Sequence, residues 1–387
     1  MRRVLWVLNG CGLEGRGVTG APVRFHEISR RFAERGVAQH VMTTSGGVAL
    51  LRGLGCALPM TVVPASLFLR REPCVPFRLW SYVVSAIGWR LRARALPAFD
   101  TVITVSDYFC DVVPALALRK KTGAKWIAWV HHCETAPSQR PGNRLANEVT
   151  YRIQNWSFGR IARSADSAWI NDTLAGDEIE ARLKARGMAA GRIRRMWNGV
   201  DLGAIGAAKG EAKFDAVMVG VRPNKGLHDI IPIWRRVNEL RPGTTLMLMG
   251  GMSGETETLA EIARLRLPIT VFRPEGGLLP AGEYYAKLKE ARVMFAPSHE
   301  EGWGIAVCEA MGAGLPVVAY DLAAYRKIYA GAYEGVECFD HESFARKLVA
   351  VLEGGERFAA LKAAGLGAAG KYDWAAIAER DLAALEA

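Results

Sequence analysis

Short apolar runs alternate with amphipathic stretches along almost the whole chain, and this alternation constrains the fold more than any other feature. "VLWVLNG" (4–10) reads as a buried strand. "APVRFHEISRRFAERG" (21–36) then places Phe25, Ile28 and Phe32 on one helical face, with Gly36 as the stop signal. "QHVMTT" (39–44) returns as a second strand. A strand, crossover helix and strand of this size make a βαβ unit, which implies a parallel sheet. Further strand-like runs lie at 99–106, 125–132 and 165–171. A stretch rich in Gly and Ala, 198–213, reads as a linker, and a second series follows at 214–220, 244–251, 268–274, 291–298 and 315–321. The expected fold class is α/β: two doubly wound Rossmann-like units facing each other across a hinge. Such sheets bind ligands outside the carboxyl ends of their strands, so a cleft between the units is the expected site.

Bulk properties agree. A chain of 387 residues suits two domains, and 50% apolar residues can fill a core in each. No stretch reaches the about 18 consecutive apolar residues that span a bilayer. The basic opening "MRRVLWVLNG" carries too short an apolar run for a signal peptide. Seven scattered cysteines (Cys11, Cys56, Cys74, Cys110, Cys133, Cys308 and Cys338) form no C-x-x-C pair. That pattern argues against a disulfide framework or zinc site and for a reducing cytoplasm. The net charge of +11 is uneven: residues 1–200 hold 29 Lys and Arg against 14 Asp and Glu, whereas residues 201–387 hold 21 against 25. An excess of +15 in the first half points to an anionic partner.

Two motifs carry chemistry. In "GRGVTG", Gly15, Gly17 and Gly20 form a G-x-G-x-x-G between a strand and a helix, a turn that lets phosphate or sugar approach a helix N-terminus. A dinucleotide fold would also place an acid at the end of the second strand; here that strand runs into "TTSGG". In "HEEGWGIAVCEAMGAGLPVVAYD" (299–321), Glu301 sits in a loop after a strand. Gly302 and Gly304 free the backbone there, and Glu309 lies one turn into the next helix. Glycine-rich backbone at a helix N-terminus offers N–H groups and a positive dipole end to an anion. The two carboxylates could accept hydrogen bonds from sugar hydroxyls, or be solvated helix-end charges.

"EGWGIAVCE" resembles the E-x7-E motif of the retaining GT-B glycosyltransferases of family four, the glycosyl transferases group 1. The likeness extends to the paired strands of "FDTVITVSDYFCDVVPALALRKKTGAKWIAWVHH", to the interdomain N-G-V-D in "MWNGVD", and to the phosphate-binding segment in "VGVRPNKGLHDII". The resemblance implies that Glu309 holds the donor ribose, and that Glu301 holds the sugar with the backbone of Gly302, Trp303 and Gly304. Arg222 and Lys225 would neutralise the diphosphate, although the family's Arg usually stands five residues before the Lys rather than three. Gly17 and Asn198 would join the donor-binding set. His131, closing the "KWIAWV" strand, matches the family's histidine that reaches the transferred sugar. The neighbouring position, often acidic in the family, is His132, and Glu134 is the nearest candidate nucleophile.

The resemblance therefore implies an acceptor-binding domain over 1–200, a nucleotide-sugar domain over 201–371, and a helix over 372–387 that packs back on the first. It implies a hexose-type transfer with retention at the anomeric carbon, leaving-group phosphate helping to deprotonate the acceptor hydroxyl. The chain has no Asp-x-Asp, so metal independence is expected, with a nucleotide diphosphate sugar as co-substrate and no cofactor. No helix-turn-helix or zinc-finger spacing appears, which argues against nucleic acid. A hydrolase or phosphorylase on the same fold, or a non-catalytic sugar-nucleotide-binding protein, are the alternatives. Neither base, sugar nor acceptor is legible.

One segment bears on the acceptor. "LFLRREPCVPFRLWSYVVSAIGWRLRARALP" (67–97) holds Arg70, Arg71, Arg78, Arg90, Arg92 and Arg94 against a single acid, Glu72. Phe68, Phe77, Trp80, Tyr82 and Trp89 are interleaved. Two readings stand: a surface for an anionic inner leaflet or lipid-linked, cell-envelope acceptor, giving a cytoplasmic protein peripheral to the membrane; or a helix covering the sheet, its aromatics in the core. A soluble anionic acceptor would also use such charge.

Overall fold

The computed structural model describes residues 2–10, 20–63, 75–131, 133–134, 136–138, 143–252, 255–273 and 279–386, with backbone alone at 75–83 and 251–252. Gly15, Gly17, His132, Arg70, Arg71, Glu72 and Phe68, with Cys11 and Cys74, lie outside the described residues. So do the side chains of Phe77, Arg78, Trp80 and Tyr82. The chain divides into two compact units, Met1–Trp197 with Ala378–Ala387, and Asn198–Ile377.

In the first unit, β1 (Arg3–Leu8), β2 (Ala38–Thr44), β3 (Met60–Val63), β4 (Thr101–Thr104), β5 (Lys125–Val130), β6 (Ser167–Asn171) and β7 (Ile193–Met196) form a parallel sheet. Their order is β3-β2-β1-β4-β5-β6-β7. In the second, β8 (Phe214–Val221), β9 (Leu246–Met252), β10 (Ile269–Phe272), β11 (Ala291–Ala296), β12 (Val317–Tyr320) and β13 (Glu334–Val336) are ordered β10-β9-β8-β11-β12-β13, also parallel. The expected doubly wound α/β units are present. Each order reverses once, between β1 and β4 and between β8 and β11, and such switch points open a crevice at the strands' carboxyl ends.

Successive side chains of a strand point to opposite faces, and both faces here are covered. In β12, Val317 and Ala319 enter one core cluster and Val318 and Tyr320 the other; in β11, Met294 and Ala296 oppose Phe295 in the same way. That double burial is why these strands read as unbroken apolar runs. In the first unit, helix Gly20–Glu34 buries Phe25, Ile28 and Phe32 as their spacing predicts, with the Phe25 ring edge-on to Trp6. The same helix buries Arg24 completely, ion-paired to Asp381 of helix Trp374–Glu386 and stacked 4.3 Å from the Trp129 ring.

Two expectations need correction. The stretch 198–213 is not all linker: Asp201 accepts a hydrogen bond from Ala204 N and caps helix Leu202–Ala207, which buries Ile205 in the second core. Trp89, offered as an interfacial aromatic, is fully buried in helix Val75–Ala95 with Ala86 and Ala93. Its exposed face carries Arg90, Arg92 and Arg94 beside Val84, Ile87 and Leu91. Among the described residues, no helix is long and apolar enough to cross a membrane, and no disulfide joins Cys56, Cys110, Cys133, Cys308 or Cys338.

Candidate functional site

The switch point of the second sheet brings two loops together. The loop after β8 carries Arg222 and Lys225; the loop after β11 carries Ser298 and Glu301. Gly226 makes their approach possible. Its φ is +86°, and a Cβ there would lie 2.1 Å from the Pro297 carbonyl oxygen, so no other residue fits. His299 N donates to Asn224 O at 3.1 Å, fastening one loop to the other.

This brings Lys225 Nζ into an ion pair with Glu301 Oε1, the two side chains 18% and 11% exposed. The same oxygen accepts from Ser298 Oγ at 3.1 Å and Tyr325 OH at 3.3 Å. Burial, then the Glu301 charge, pushes the Tyr325 phenol well above its ordinary range, so it stays a donor. Half-buried Arg222 has its Nε without a hydrogen-bond partner among the described residues. A small crevice is lined by Val219, Lys225, Pro297, Ser298, Glu301 and Tyr325.

Gly304 is the N-cap of helix Ile305–Gly312, with φ +84°, and its Cα lies so close to Tyr325 that a Cβ would meet the ring at 2.6 Å. No side chain caps this helix. Val307 N already donates to Gly304 O at 3.0 Å; the N–H groups ahead of it have no i−4 carbonyl within the helix and offer a positive end to an anion. Gly302 is exposed, and Trp303 is 4% exposed, its ring edge-on to Tyr329 and Tyr372. Trp303 thus anchors the loop through its side chain and leaves only backbone to a ligand. Glu309, on the first turns of the helix, accepts from Tyr284 OH at 2.8 Å and from Tyr285 OH at 3.4 Å. Burial and the Glu309 charge raise the Tyr284 phenol well above its ordinary range.

The second unit therefore gathers Arg222, Lys225, Glu301, Gly302, Trp303, Gly304 and Glu309 at one sheet end. Asn198 opens this unit, 6% exposed with Oδ1 unpartnered among the described residues, two residues from the parallel bridge Val200–Asp373. Sequence reasoning missed Ser298, Tyr325, Tyr284 and Tyr285. Ser298 stands three residues before Glu301 and could have been found from that spacing; the tyrosines carry no local signal.

In the first unit, His131 follows β5, and its Nε2 lies 2.9 Å from Val105 O, which makes that nitrogen the donor. Glu134 is 8% exposed; its N–H donates to Gln154 Oε1 at 2.7 Å, and Gln154 Nε2 donates to Asp107 at 2.9 Å. At the switch point, Asp111 accepts from Asn9 N at 2.6 Å, Gly10 N at 3.3 Å and Ser106 Oγ. It fixes the chain where β1 gives way to the glycine-rich loop. Burial pushes its carboxyl up to about 7 against the pull of those hydrogen bonds. Among the described residues no group of three or more His, Cys, Asp or Glu side chains could hold a metal ion.

Two doubly wound units with parallel sheets of seven and six strands place the chain in the GT-B fold class. Residues 207–366 match the family model described as glycosyl transferases group 1. Similar curated proteins include a glycogen synthase of Mycobacterium tuberculosis, 26% identical over 229 residues covering 58% of this chain and 53% of that one. A phosphatidyl-myo-inositol mannosyltransferase of Mycobacterium leprae is 30% identical over 235 residues, 58% of this chain and 57% of that one. The matched stretch thus spans about half the length of these relatives. In fold, the chain is similar over 100% of its length to a sucrose-phosphate synthase from Thermosynechococcus elongatus, at 98% of that chain, 16% identity and a TM-score of 0.72. Anabaena HepE in complex with UDP-glucose is matched at 100% of both chains, 16% identity and a TM-score of 0.71.

Proposed function

We propose that the protein is a retaining glycosyltransferase that moves a hexose-type sugar from a nucleotide diphosphate sugar to an acceptor hydroxyl without a metal ion. The observation that carries this reading is the Lys225–Glu301 pair at the β8/β11 switch point, beside the uncapped helix that begins at Gly304. An ammonium, a guanidinium and a helix N-terminus suit a diphosphate, and two carboxylates with their tyrosine partners suit sugar and ribose hydroxyls. In the proposed step the bond from the anomeric carbon to the diphosphate oxygen breaks, its electron pair leaving with the phosphate. The acceptor oxygen attacks from the same face, its proton passes to the departing diphosphate, and configuration is retained. Lys225 and Arg222 stabilise the charge that grows on that leaving group. His131 is assigned to the transferred sugar by the family motif, and His131→Ala tests that role.

HepE binds UDP-glucose, which makes a uridine diphosphate sugar the first donor to try. Thermal stabilisation across uridine, guanosine and adenosine diphosphate sugars tests the reading. A ligand at about 100 times its dissociation constant adds about 2.7 kcal/mol to the folded state. Stabilisation by none of the three defeats it; binding with hydrolysis but no transfer favours the hydrolase reading.

For the acceptor side, helix Val75–Ala95 supports a lipid-linked acceptor on an anionic leaflet. Val84, Ile87 and Leu91 are 45%, 55% and 61% exposed and recur at helical spacing, with exposed Arg90, Arg92 and Arg94 among them. Lys120 and Lys121 are exposed on the adjoining helix Phe109–Thr122. Apolar side chains within a cationic field suit the headgroup region of such a membrane.

A further inference from the structure

Asp229 occupies the N-cap position of helix Ile230–Leu240, yet its side chain makes no capping hydrogen bond. An Asp there ordinarily accepts from the N–H groups of the first turn. Instead the carboxylate, 3% exposed, takes three side-chain donors from three separate elements. Tyr320 OH, at the end of β12, donates to Oδ1 at 2.8 Å. His341 Nε2, at the start of helix His341–Leu352, lies 2.8 Å from the same oxygen. His299 Nε2 lies 2.6 Å from Oδ2.

The third contact differs from the other two in what it joins. Asp229 ends the loop that carries Lys225, and His299 stands two residues before Glu301. The His299 backbone already donates to Asn224 O, next to Lys225. Its ring is also packed 4.6 Å from Phe339, between centroids. One residue therefore ties both ends of the Lys225 loop to the Glu301 loop, through its main chain at one end and its imidazole at the other.

We propose that His299, held by Asp229, is a positioning residue that sets the Lys225 ammonium and the Glu301 carboxylate at the spacing the nucleotide donor requires. This rests on the donor-site reading above. Removing the imidazole leaves the fold of the sheet and the His299 N–Asn224 O bond in place but cuts the tie to Asp229, so the Lys225 loop is fastened to the Glu301 loop at one end only. Nucleotide affinity then falls because Lys225 is no longer held in place.

The test titrates UDP, GDP and ADP into the full-length protein by calorimetry, following whichever binds. His299→Ala should weaken binding about tenfold. His299→Gln, whose amide can still donate to Asp229, should stay within about threefold of wild type. In a Lys225→Ala background, His299→Ala should cost less than threefold, because its effect acts through Lys225. A tenfold loss in both backgrounds, a glutamine variant as weak as the alanine one, or unchanged affinity in a folded His299→Ala protein would each overturn the inference. Should His299→Ala fail to fold, His341→Ala decides. It removes another donor to Asp229 while leaving the loop tie, so affinity should stay within threefold, and a tenfold loss overturns the assignment. Wild-type protein that binds none of the three nucleotides overturns the donor-site reading itself, and this inference with it.

Discussion

Lys225 and Glu301, 76 residues apart, form an ion pair in which neither side chain is more than one-fifth exposed. A pair this enclosed is held for its geometry, because desolvation offsets much of the attraction. A diphosphate entering beside Lys225 would share its ammonium with Glu301. Lys225→Ala should therefore lower kcat by about 10²–10³, the effect of losing one charge-stabilising group at a developing anion. Turnover after exhaustive chelation should equal turnover with added magnesium. A loss on chelation that magnesium restores would show that the protein's own cations do not suffice.

Glu309 offers a second test. If it accepts two ribose hydroxyl bonds, Glu309→Gln should weaken donor binding by about 1.5–3 kcal/mol, the scale for hydrogen bonds to a charged group. Tyr284 orients that carboxylate, so Tyr284→Phe should cost about 0.5–1.5 kcal/mol. Calorimetry on both variants checks this; wild-type affinity in a folded Glu309→Gln protein rejects the ribose assignment.

Asp111 predicts a pH dependence of stability. Its carboxyl titrates near 3.8 when unfolded and is pushed up to about 7 by burial. Between those values the folded protein holds a proton that the unfolded chain has released, so this group makes stability fall as pH rises from about 4 to 7. The contribution is on the order of a few kcal/mol. Asp111→Asn keeps the neutral form and should flatten that fall. Urea unfolding at pH 5 and pH 8 reads it, and an equal fall in both proteins rejects the assignment.

The exposed face of helix Val75–Ala95 should bind anionic vesicles at low salt and release them at high salt. Replacing Arg90, Arg92 and Arg94 together by Gln should remove about 3 kcal/mol, at about 1 per basic residue, or roughly a hundredfold in binding. Ile87→Asp with Leu91→Asp should weaken binding at every salt concentration. Equal, negligible sedimentation with anionic and neutral vesicles would sink the membrane reading and leave the helix as a cover of the sheet.

The sequence by itself determined the central strands, the helix face of Phe25, Ile28 and Phe32, and the placement of Glu301 and Glu309 around a glycine-bearing helix start. Each depends on neighbours within about ten residues, and strands buried on both faces must be apolar throughout. It was silent on β3, β7 and β13. These are short and outermost or nearly so, and "IRRM" in β7 carries no apolar run because its arginines lie on a partly exposed strand. Only the tertiary structure decided that Tyr325 reaches Glu301, that Tyr284 reaches Glu309, and that His299 and His341 share Asp229. Those partners lie 24 to 112 residues apart. Which side chain fills a buried carboxylate's hydrogen bonds is fixed by how strands and helices stack, and periodicity along the chain holds no record of that. The same reason hid the role of Trp89: its helix is amphipathic either way, and only packing against the sheet shows which face is core.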